Sequence, residues 1–259
     1  MGKERLDVLL VRTGHTESRE RAQRLIRAGK VRLDGQVSSK PGVKVPDDAH
    51  IEIEQPPPFV SRGGEKLLGA LREWPDLKLT DRVAIDIGSS TGGFTDCLLQ
   101  HGARKVYAVD VGKGQLHWDL RQDERVDVRE QTNARYLEAD AFDPRPDLGV
   151  TDVSFISLKL ILPAADRVLL PGADMVSLIK PQFEAGRKHL RKGVVVDDAV
   201  RQTVVDDIRA FGEETLGWSC IGVVPSPLKG PAGNVEFLAR WKLPSMASTD
   251  PAKPDMVSA

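Results

Sequence analysis

The 259-residue chain is predicted to be an α/β protein: a mostly parallel sheet with helices on both faces, preceded by a small basic α+β unit. Three observations predict this. Apolar, β-branched runs alternate with helical patterns through the middle of the chain, as in parallel sheets built from βαβ units. Residues 1–44 hold eleven Lys or Arg against five Asp or Glu, a local charge of +6. The whole chain carries −1, so the other 215 residues sum to −7. Gln55-Pro56-Pro57-Pro58 is a stiff segment between the two regions. The expected boundaries are 1–58 for the small unit with its linker, 59–243 for the α/β domain, and 244–259 for a Pro-, Ser-, Asp- and Ala-rich disordered tail. At roughly 100 to 200 residues per domain, one large and one small domain suit the length.

In the small unit, Leu6, Leu9 and Leu10 recur at helical spacing, and Gly14 closes that helix. Ser18 caps a second helix over 19–28, which Gly29 ends. Ala22, Leu25 and Ile26 form its inward stripe and leave Arg19, Arg21, Arg24 and Arg27 largely to solvent. Lys30-Val31-Arg32-Leu33 is a short strand, and Asp34-Gly35 a hairpin turn. Clustered cations of this kind suit counterion release from phosphates. A merely solvated Arg-rich helix is the alternative.

The α/β domain carries seven apolar runs, at 82–87, 105–111, 126–128, 150–153, 175–179, 220–224 and 235–241. Helical patterns fall at 93–101, 158–169 and 199–216. The connection 225–234 is turn-rich and too irregular for a crossover helix, so the last two strands are expected to pair antiparallel.

Composition excludes several classes. With 40% hydrophobic and 29% charged residues, wholesale disorder is out. Two cysteines, Cys97 and Cys220, build neither a disulfide framework nor a four-thiolate zinc site, and point to a reducing compartment. The N-terminal residues lack the apolar core of a signal peptide, and no run approaches the roughly 18 apolar residues of a membrane helix. A cytoplasmic protein without a membrane partner is expected. The five histidines, at 15, 50, 101, 117 and 189, show no ligand spacing, and no metal is expected.

Val83-Ala84-Ile85-Asp86-Ile87-Gly88-Ser89-Ser90-Thr91-Gly92-Gly93-Phe94 is a strand, a glycine loop and a helix start. Its G-x-x-x-G-G spacing matches neither the dinucleotide fingerprint nor the P-loop. Asp86, just ahead of the glycine, repels a pyrophosphate but can neighbour a cationic ligand. Asp110 ends the second strand, 22 residues after Gly88, where a carboxylate accepts both hydroxyls of a ribose. An adenosine ligand with a cationic, phosphate-free arm satisfies both, and S-adenosylmethionine is that ligand. An ordinary tight turn with Asp86 as a cap is the alternative.

Four further segments carry chemistry-bearing side chains: Ser61-Arg62-Gly63-Gly64-Glu65-Lys66-Leu67, Thr151-Asp152-Val153-Ser154-Phe155-Ile156-Ser157, Lys180-Pro181-Gln182-Phe183-Glu184-Ala185-Gly186 and Gly230-Pro231-Ala232-Gly233-Asn234-Val235-Glu236-Phe237. Lys180 closes an apolar strand at the catalytic edge of the sheet, although a lysine there is ordinarily a snorkelling surface residue. Glu236 is placed at the start of the last strand.

With these segments and the glycine loop in this order, the sequence resembles the TlyA family of ribosomal RNA 2′-O-methyltransferases, often labelled haemolysin A. The resemblance covers roughly residues 3–242. It implies a Rossmann-like, seven-stranded methyltransferase domain that uses S-adenosylmethionine. The N-terminal unit resembles a small RNA-binding domain shared with a small-subunit ribosomal protein and with pseudouridine synthases. The resemblance also implies a Lys-Asp-Lys-Glu tetrad, which falls on Lys66, Asp152, Lys180 and Glu236, and cytidines of ribosomal RNA as substrate. It puts the donor at Asp86, Gly88, Ser89, Ser90, Gly92, Gly93 and Phe94, with Asp110 on the ribose. One departure stands out. Some members carry an Arg- and Trp-containing linker where this chain has Pro56-Pro57-Pro58-Phe59-Val60.

A ribose 2′-OH is a poor nucleophile until its proton is removed, and a sulfonium methyl is a good electrophile, so alignment and a base are what an enzyme must add. Lys180 is the expected base, with Lys66 tuning it and contacting phosphate. Asp152 and Glu236 orient the ammonium groups, and Asp152 also faces the donor. Asn133, after the third strand, is placed for adenine contact; Phe155 either walls the adenine or joins the core. Arg5, Arg19, Arg21, Arg24, Arg27, Lys30 and Arg32 are the expected RNA contacts of the small unit. Arg62 is one of the α/β domain, and Arg187 and Lys188, with Arg191 and Lys192, form a basic loop after Lys180 that lies on RNA phosphate, a solvated charge run being the alternative. The partner is ribosomal RNA or a ribosomal subunit. Two rival readings are a catalytically inactive RNA-binding assembly factor and a pore-forming haemolysin.

Overall fold

The computed structural model describes residues 2–54 and 57–245. The proposed linker therefore falls partly, at Gln55 and Pro56, outside the described residues, as does the tail from 246 onward. The chain divides into two compact units, Met1–Pro57 and Pro58–Ala259.

The first unit runs β1 (Lys3–Arg5), α1 (Leu6–Arg12), α2 (Arg19–Arg27), β2 (Val31–Leu33), β3 (Gln36–Val37), β4 (Lys44–Pro46) and β5 (Ile51–Ile53). Strands β1 and β4 pair antiparallel, and β2 lies between β3 and β5. The predicted helices and hairpin are present, whereas β1, β4 and β5 had no separate sequence signal. Each is three residues long, too short for a period-two pattern, and pairs with a partner distant in sequence. Leu6, Leu9, Leu10, Ala22, Ile26 and Val31 form a closed apolar core. Ser18 Oγ accepts from Arg21 N at 3.2 Å and caps α2. Asp7 is fully buried and accepts from Arg5, Arg19 and Gln23.

The second unit contains α3 (Gly63–Glu73), β6 (Val83–Ile87), α4 (Gly93–Gln100), β7 (Lys105–Val109), α5 (Trp118–Gln122), β8 (Val126–Arg129), β9 (Leu148–Thr151), α6 (Leu162–Val168), β10 (Asp174–Ile179), α7 (Pro181–Glu184), α8 (Asp198–Ala210), β11 (Ser219–Pro225) and β12 (Phe237–Lys242). One seven-stranded sheet has the order β11-β12-β10-β9-β6-β7-β8. β12 runs against both of its neighbours, and all other pairings are parallel. Every residue of β6 is buried, as expected of a central parallel strand covered on both faces. Val83, Ile85 and Ile87 join one core, and Ala84 joins the other, with α3 and α4.

Two expected helices are shorter than their patterns. The 158–169 stretch begins as a 3-10 turn, Leu158–Leu160, before α6, whose Pro163 falls in the first turn, where no N–H is needed. The 199–216 pattern is α8 followed by a wider π turn at Phe211–Thr215. Gly212 sits there against Trp241, and a Cβ would lie 2.5 Å from the indole.

Candidate active site

The strand order reverses about β6, which lies between β9 and β7, and in such sheets ligands bind beyond the carboxyl ends of the strands at that point. Registry delivers the candidate residues to this edge. Ile87 is level with Thr151 and with Val109, so Gly88, Asp152 and Asp110 leave the sheet side by side. Ile179 faces Phe237 across the antiparallel pair, so Lys180, one residue after β10, emerges opposite Glu236, one residue before β12. Glu236 thus precedes the last strand rather than starting it, because the backbone still turns at 230–236 to reach the register of β10.

Lys66 arrives from α3, a helix the sequence pattern did not announce. Glycines bring this helix in: a Cβ on Gly93 would lie 2.7 Å from Gly64 N, and one on Gly64 would lie 2.3 Å from the Phe59 ring. The start of α3 therefore packs directly on the start of α4.

The four side chains form an alternating chain of charge. Lys66 Nζ donates to Glu236 Oε2 at 2.6 Å and lies 3.9 Å from Asp152 Oδ2. Lys180 Nζ lies 2.5 Å from Asp152 Oδ1 and donates to Ser154 Oγ at 2.8 Å. Both lysines are 8% exposed and Glu236 1%. Charges this deep persist only when paired and hydrogen-bonded. Lys180 donates to Ser154 and is ion-paired with Asp152, whose Oδ1 accepts no hydrogen bond, so its nitrogen keeps valence for an incoming oxygen on the cavity side.

Beside the tetrad lies the glycine cleft. Gly88 has φ +85°, and a Cβ there would lie 2.9 Å from Val153 and 3.0 Å from the Asp152 carbonyl. Only glycine allows that approach. Asp86 is fully buried and accepts from Thr95 N at 3.0 Å and Thr95 Oγ1 at 2.7 Å through one oxygen. Its other oxygen has no partner among the described residues. Burial raises the Asp86 carboxyl to about 7, and the nearby Asp152 adds to the rise. Asp110 accepts from Ser90 N at 2.9 Å and from Gly112 N at 2.7 Å. A cavity of about 400 Å³ continues from Gly88 past Asp110, Asn133 and Phe155, and a second of about 520 Å³ opens over Lys66, Asp152 and Lys180. S-adenosylmethionine fits this cleft: an unpartnered buried carboxylate for a cationic arm, a glycine loop of close approach and a carboxylate for the ribose.

The family model of the FtsJ-like methyltransferases matches residues 59–242, and that of the S4 domain matches 4–51. The chain belongs to the TlyA-type, FtsJ-like methyltransferases. It is 50% identical over 245 residues to the provisionally named rRNA methyltransferase YqxC of Bacillus subtilis, covering 93% of this chain and 86% of the relative. It is 47% identical over 236 residues to the 16S/23S rRNA (cytidine-2′-O)-methyltransferase TlyA of Mycobacterium tuberculosis, covering 90% and 87%. A solved Streptococcus thermophilus structure with a provisional hemolysin label superposes with TM-score 0.71 at 46% identity, covering 94% of this chain and 90% of that one. The S4 domain and the Rossmann-like, donor-binding domain expected from the resemblance are both present. No helix among the described residues is long and apolar enough to cross a membrane.

Within this family framework the remaining expected residues divide. Ser89, Ser90, Gly93 and Phe94 line the second cavity, Phe94 as a buried core residue; Gly92 packs under the loop at φ +98°. Asn133 lines the donor cavity and caps a 3-10 turn through Arg135 N. Phe155 is 90% exposed, so its core alternative falls. It sits at φ +64° on a tight turn at the cavity rim, 5.0 Å from the Phe183 ring. Arg21, Arg24 and Arg27 are exposed on one helix, as expected, with Arg21 paired to Glu17. Arg5 and Arg19 instead hold the buried Asp7, because an interior carboxylate requires cations. Lys30 pairs with Glu54, and Arg32 donates to Gly35 O. Arg62 lines the cleft, and Arg187 and Lys188 are exposed on a short turn after α7.

Sequence reasoning left several supporting residues unassigned. Gln182 Nε2 donates to Glu236 Oε1 at 3.0 Å, and Ser154 holds Lys180. Glu184 accepts from Ser157 Oγ and Leu158 N, which ties the Phe155 turn to α7. Glu130 accepts from Gly114 N, Gln115 N and Leu116 N and pairs with Arg121, which shapes the loop after Asp110 and holds its carboxyl down at about 2. Gln182, Ser154 and Glu184 lie inside the recognised segments, and that proximity was the available signal. Glu130 had none.

Proposed function

We propose that this protein transfers a methyl group from S-adenosylmethionine to the ribose 2′-OH of a cytidine in ribosomal RNA. The carrying observation is the buried Glu236–Lys66–Asp152–Lys180 chain at the mouth of a glycine-lined cleft. The names of the curated relatives, rRNA methyltransferases of B. subtilis and M. tuberculosis, support the same chemistry.

The donor supplies an electrophilic methyl on a sulfonium. In this reading Asp86 and Asp152 face its cationic arm, Asp110 its ribose, and Asn133 and Phe155 the adenine. Gly88, Ser89, Ser90, Gly92, Gly93 and Phe94 shape the loop around it. Lys180 acts from its neutral amine form: the nitrogen lone pair accepts the hydrogen bond of the 2′-OH and takes its proton, which leaves the ammonium beside Asp152. Asp152 keeps Lys180 aimed, and Lys66, locked by Glu236, sets the potential beside it.

The S4 unit supplies sequence-independent grip through Arg21, Arg24, Arg27, Lys30 and Arg32, with Arg5 and Arg19 contributing the edges they present beyond Asp7. Arg62, Arg187 and Lys188 add grip beside the cleft, and the pocket specifies. The domain limits 1–58 and 59–243 and a cytoplasmic location, where ribosomes are, belong to the same proposal.

The test is transfer of labelled methyl to unmodified ribosomal subunits, wild type beside Lys180→Ala, with product mapped to ribose or base. Expected is ribose label that falls at least about 100-fold in the variant while donor binding is retained. Base label, or full turnover by the variant, overturns the assignment. A folded, donor-binding wild type that labels no RNA moves the protein to the assembly-factor reading.

A further inference from the structure

The segment after α7 ends in a two-residue hairpin whose cations have no ion-pair partner among the described residues. Arg191 N donates to Val194 O at 2.9 Å, and Val194 N returns to Arg191 O at 3.0 Å. The two residues between them, Lys192 and Gly193, have φ +50° and +81°, which makes a type I′ turn. Such turns favour Asn, Asp or Gly at both central positions. A lysine at the first one puts a cation at the tip against local preference, and a Cβ on Gly193 meets nothing within 4 Å, so the tip stands in open space.

Arg187, Lys188, Arg191 and Lys192 are all exposed. Among the described residues none has a carboxylate within ion-pair distance, whereas Arg121, Arg125, Arg129 and Arg240 of the same unit each hold one. The neighbouring acids are committed elsewhere: Asp197 caps α8 through Ala199 N, and Asp198 pairs with Arg201. The unit is otherwise acidic, so four adjacent exposed cations form a local positive patch suited to a polyanion.

The hairpin is also held rigidly. Asn234, 3% exposed, accepts from Val195 N at 3.0 Å and donates to Gly193 O at 3.0 Å. Val195 is fully buried, and its carbonyl accepts from Arg201 at 2.7 Å. Asn234 lies two residues before Glu236, in the segment whose Lys229 and Pro231 line the cleft. One buried amide thus fastens the cationic hairpin to the strand lead-in that carries the tetrad glutamate.

We infer that the Arg191–Val194 hairpin is a phosphate clamp of the catalytic unit, gripping the RNA backbone beside the target ribose, and that Asn234 is the positioning residue that sets it. The inference rests on the RNA substrate proposed above and adds a second grip, separate from the S4 unit. Rigid placement matters because phosphate contacts fix register on a nucleic acid, and a clamp fastened to the Glu236 segment fixes it relative to the base.

The test is equilibrium binding of the full chain to unmethylated ribosomal subunits over a range of salt concentrations, beside donor titration and steady-state transfer. Arg191→Ala with Lys192→Ala is expected to weaken subunit binding about tenfold at low salt and to reduce the magnitude of the log–log salt slope by about 1.4 to 1.8, for two lost phosphate contacts. Donor affinity and kcat stay near wild type. Asn234→Ala, with both cations present, is expected to raise KM for the subunit several-fold with donor affinity unchanged, and Asn234→Ser to recover part of that loss.

An unchanged salt slope in the double variant overturns the clamp, even if affinity falls. A drop in kcat without a change in KM for Asn234→Ala overturns its positioning role and makes it a support of Glu236 alone. Wild type that binds no subunit at all overturns the proposed function and the clamp together; wild type that binds and methylates, with variants that match it, removes the clamp only.

Discussion

Replacing Asp86 by Asn removes a charge that the fold has nowhere to spend unless a cation lies beside it. The carboxyl is fully buried, one oxygen is unpartnered, and burial raises it from 3.8 to about 7. A raised carboxyl binds its proton in the folded state over a range where the unfolded chain has released it. Stability from this group is therefore complete below about pH 4 and is lost as pH rises through about 7. Three units at about 1.4 kcal/mol each put the loss at about 4 kcal/mol. Asn keeps an acceptor for Thr95 and never ionises. Its buried N–H adds a constant offset of about 1–3 kcal/mol, which moves the whole curve without changing its slope. Denaturant titration of wild type and Asp86→Asn without donor, at intervals from pH 4 to 8.5, reads the difference. All four tryptophans lie in the catalytic unit, so intrinsic fluorescence reports that unit. The expected outcome is a wild-type minus variant difference that swings by about 4 kcal/mol against wild type as pH rises. A difference that stays flat within about 1 kcal/mol refutes the reasoning. With donor present the wild type should recover at high pH, because a cationic arm stabilises the ionised form. The same linkage makes donor affinity rise with pH up to about 7.

Three further outcomes follow from the same geometry. Gly88→Ala should cost about 1–3 kcal/mol in strain and also cut donor affinity, since its Cβ would press on Asp152 and Val153; Gly35→Ala of the S4 unit, at φ +80° with nothing nearby, should cost strain alone. Equal donor affinity in the two variants, measured calorimetrically, would remove the close approach as the reason for glycine. Asp7→Asn should destabilise the S4 unit by about 1–3 kcal/mol, seen as faster amide exchange in α1 and α2. Arg5, chiefly, holds that carboxyl well below the usual range, so the contribution should be present above about pH 4 and fade on acidification. Glu130→Gln should loosen residues 112–116 and weaken donor binding several-fold while leaving the tetrad intact; unchanged exchange in that loop would argue against it.

Much of the fold was legible because its signals are local. The seven strand runs each rest on a short stretch rich in apolar residues, many of them β-branched, and the S4 helices on three apolar positions at helical spacing and a serine cap. What escaped was non-local. Strands β1, β4 and β5 exist only because a distant segment pairs with them. Helix α3 begins Gly63-Gly64, poor helix formers; Gly64 leaves room for the Phe59 ring, and Gly93 of α4 permits the backbone of Gly63 and Gly64 to come close. Phe155 read equally as wall or core, because burial is a property of its surroundings rather than of its ring.

The residues of the candidate site lie as far apart in the chain as Lys66 and Glu236, and the sequence alone determined which types they are and that Asp86, Asp110, Asp152, Lys180 and Glu236 lie at strand ends, but not that Lys66 rides on a helix. It determined the charge separation between the two halves and the phosphate-averse character of the donor loop. Tertiary structure decided the pairing: that Lys66 locks on Glu236, that Lys180 is ion-paired with Asp152 and hydrogen-bonded to Ser154, and that Arg5 and Arg19 serve Asp7. The physical reason is that spacing sets conformation over a few residues, whereas a buried charge is satisfied by whatever the packed sheet brings within about 3 Å of it.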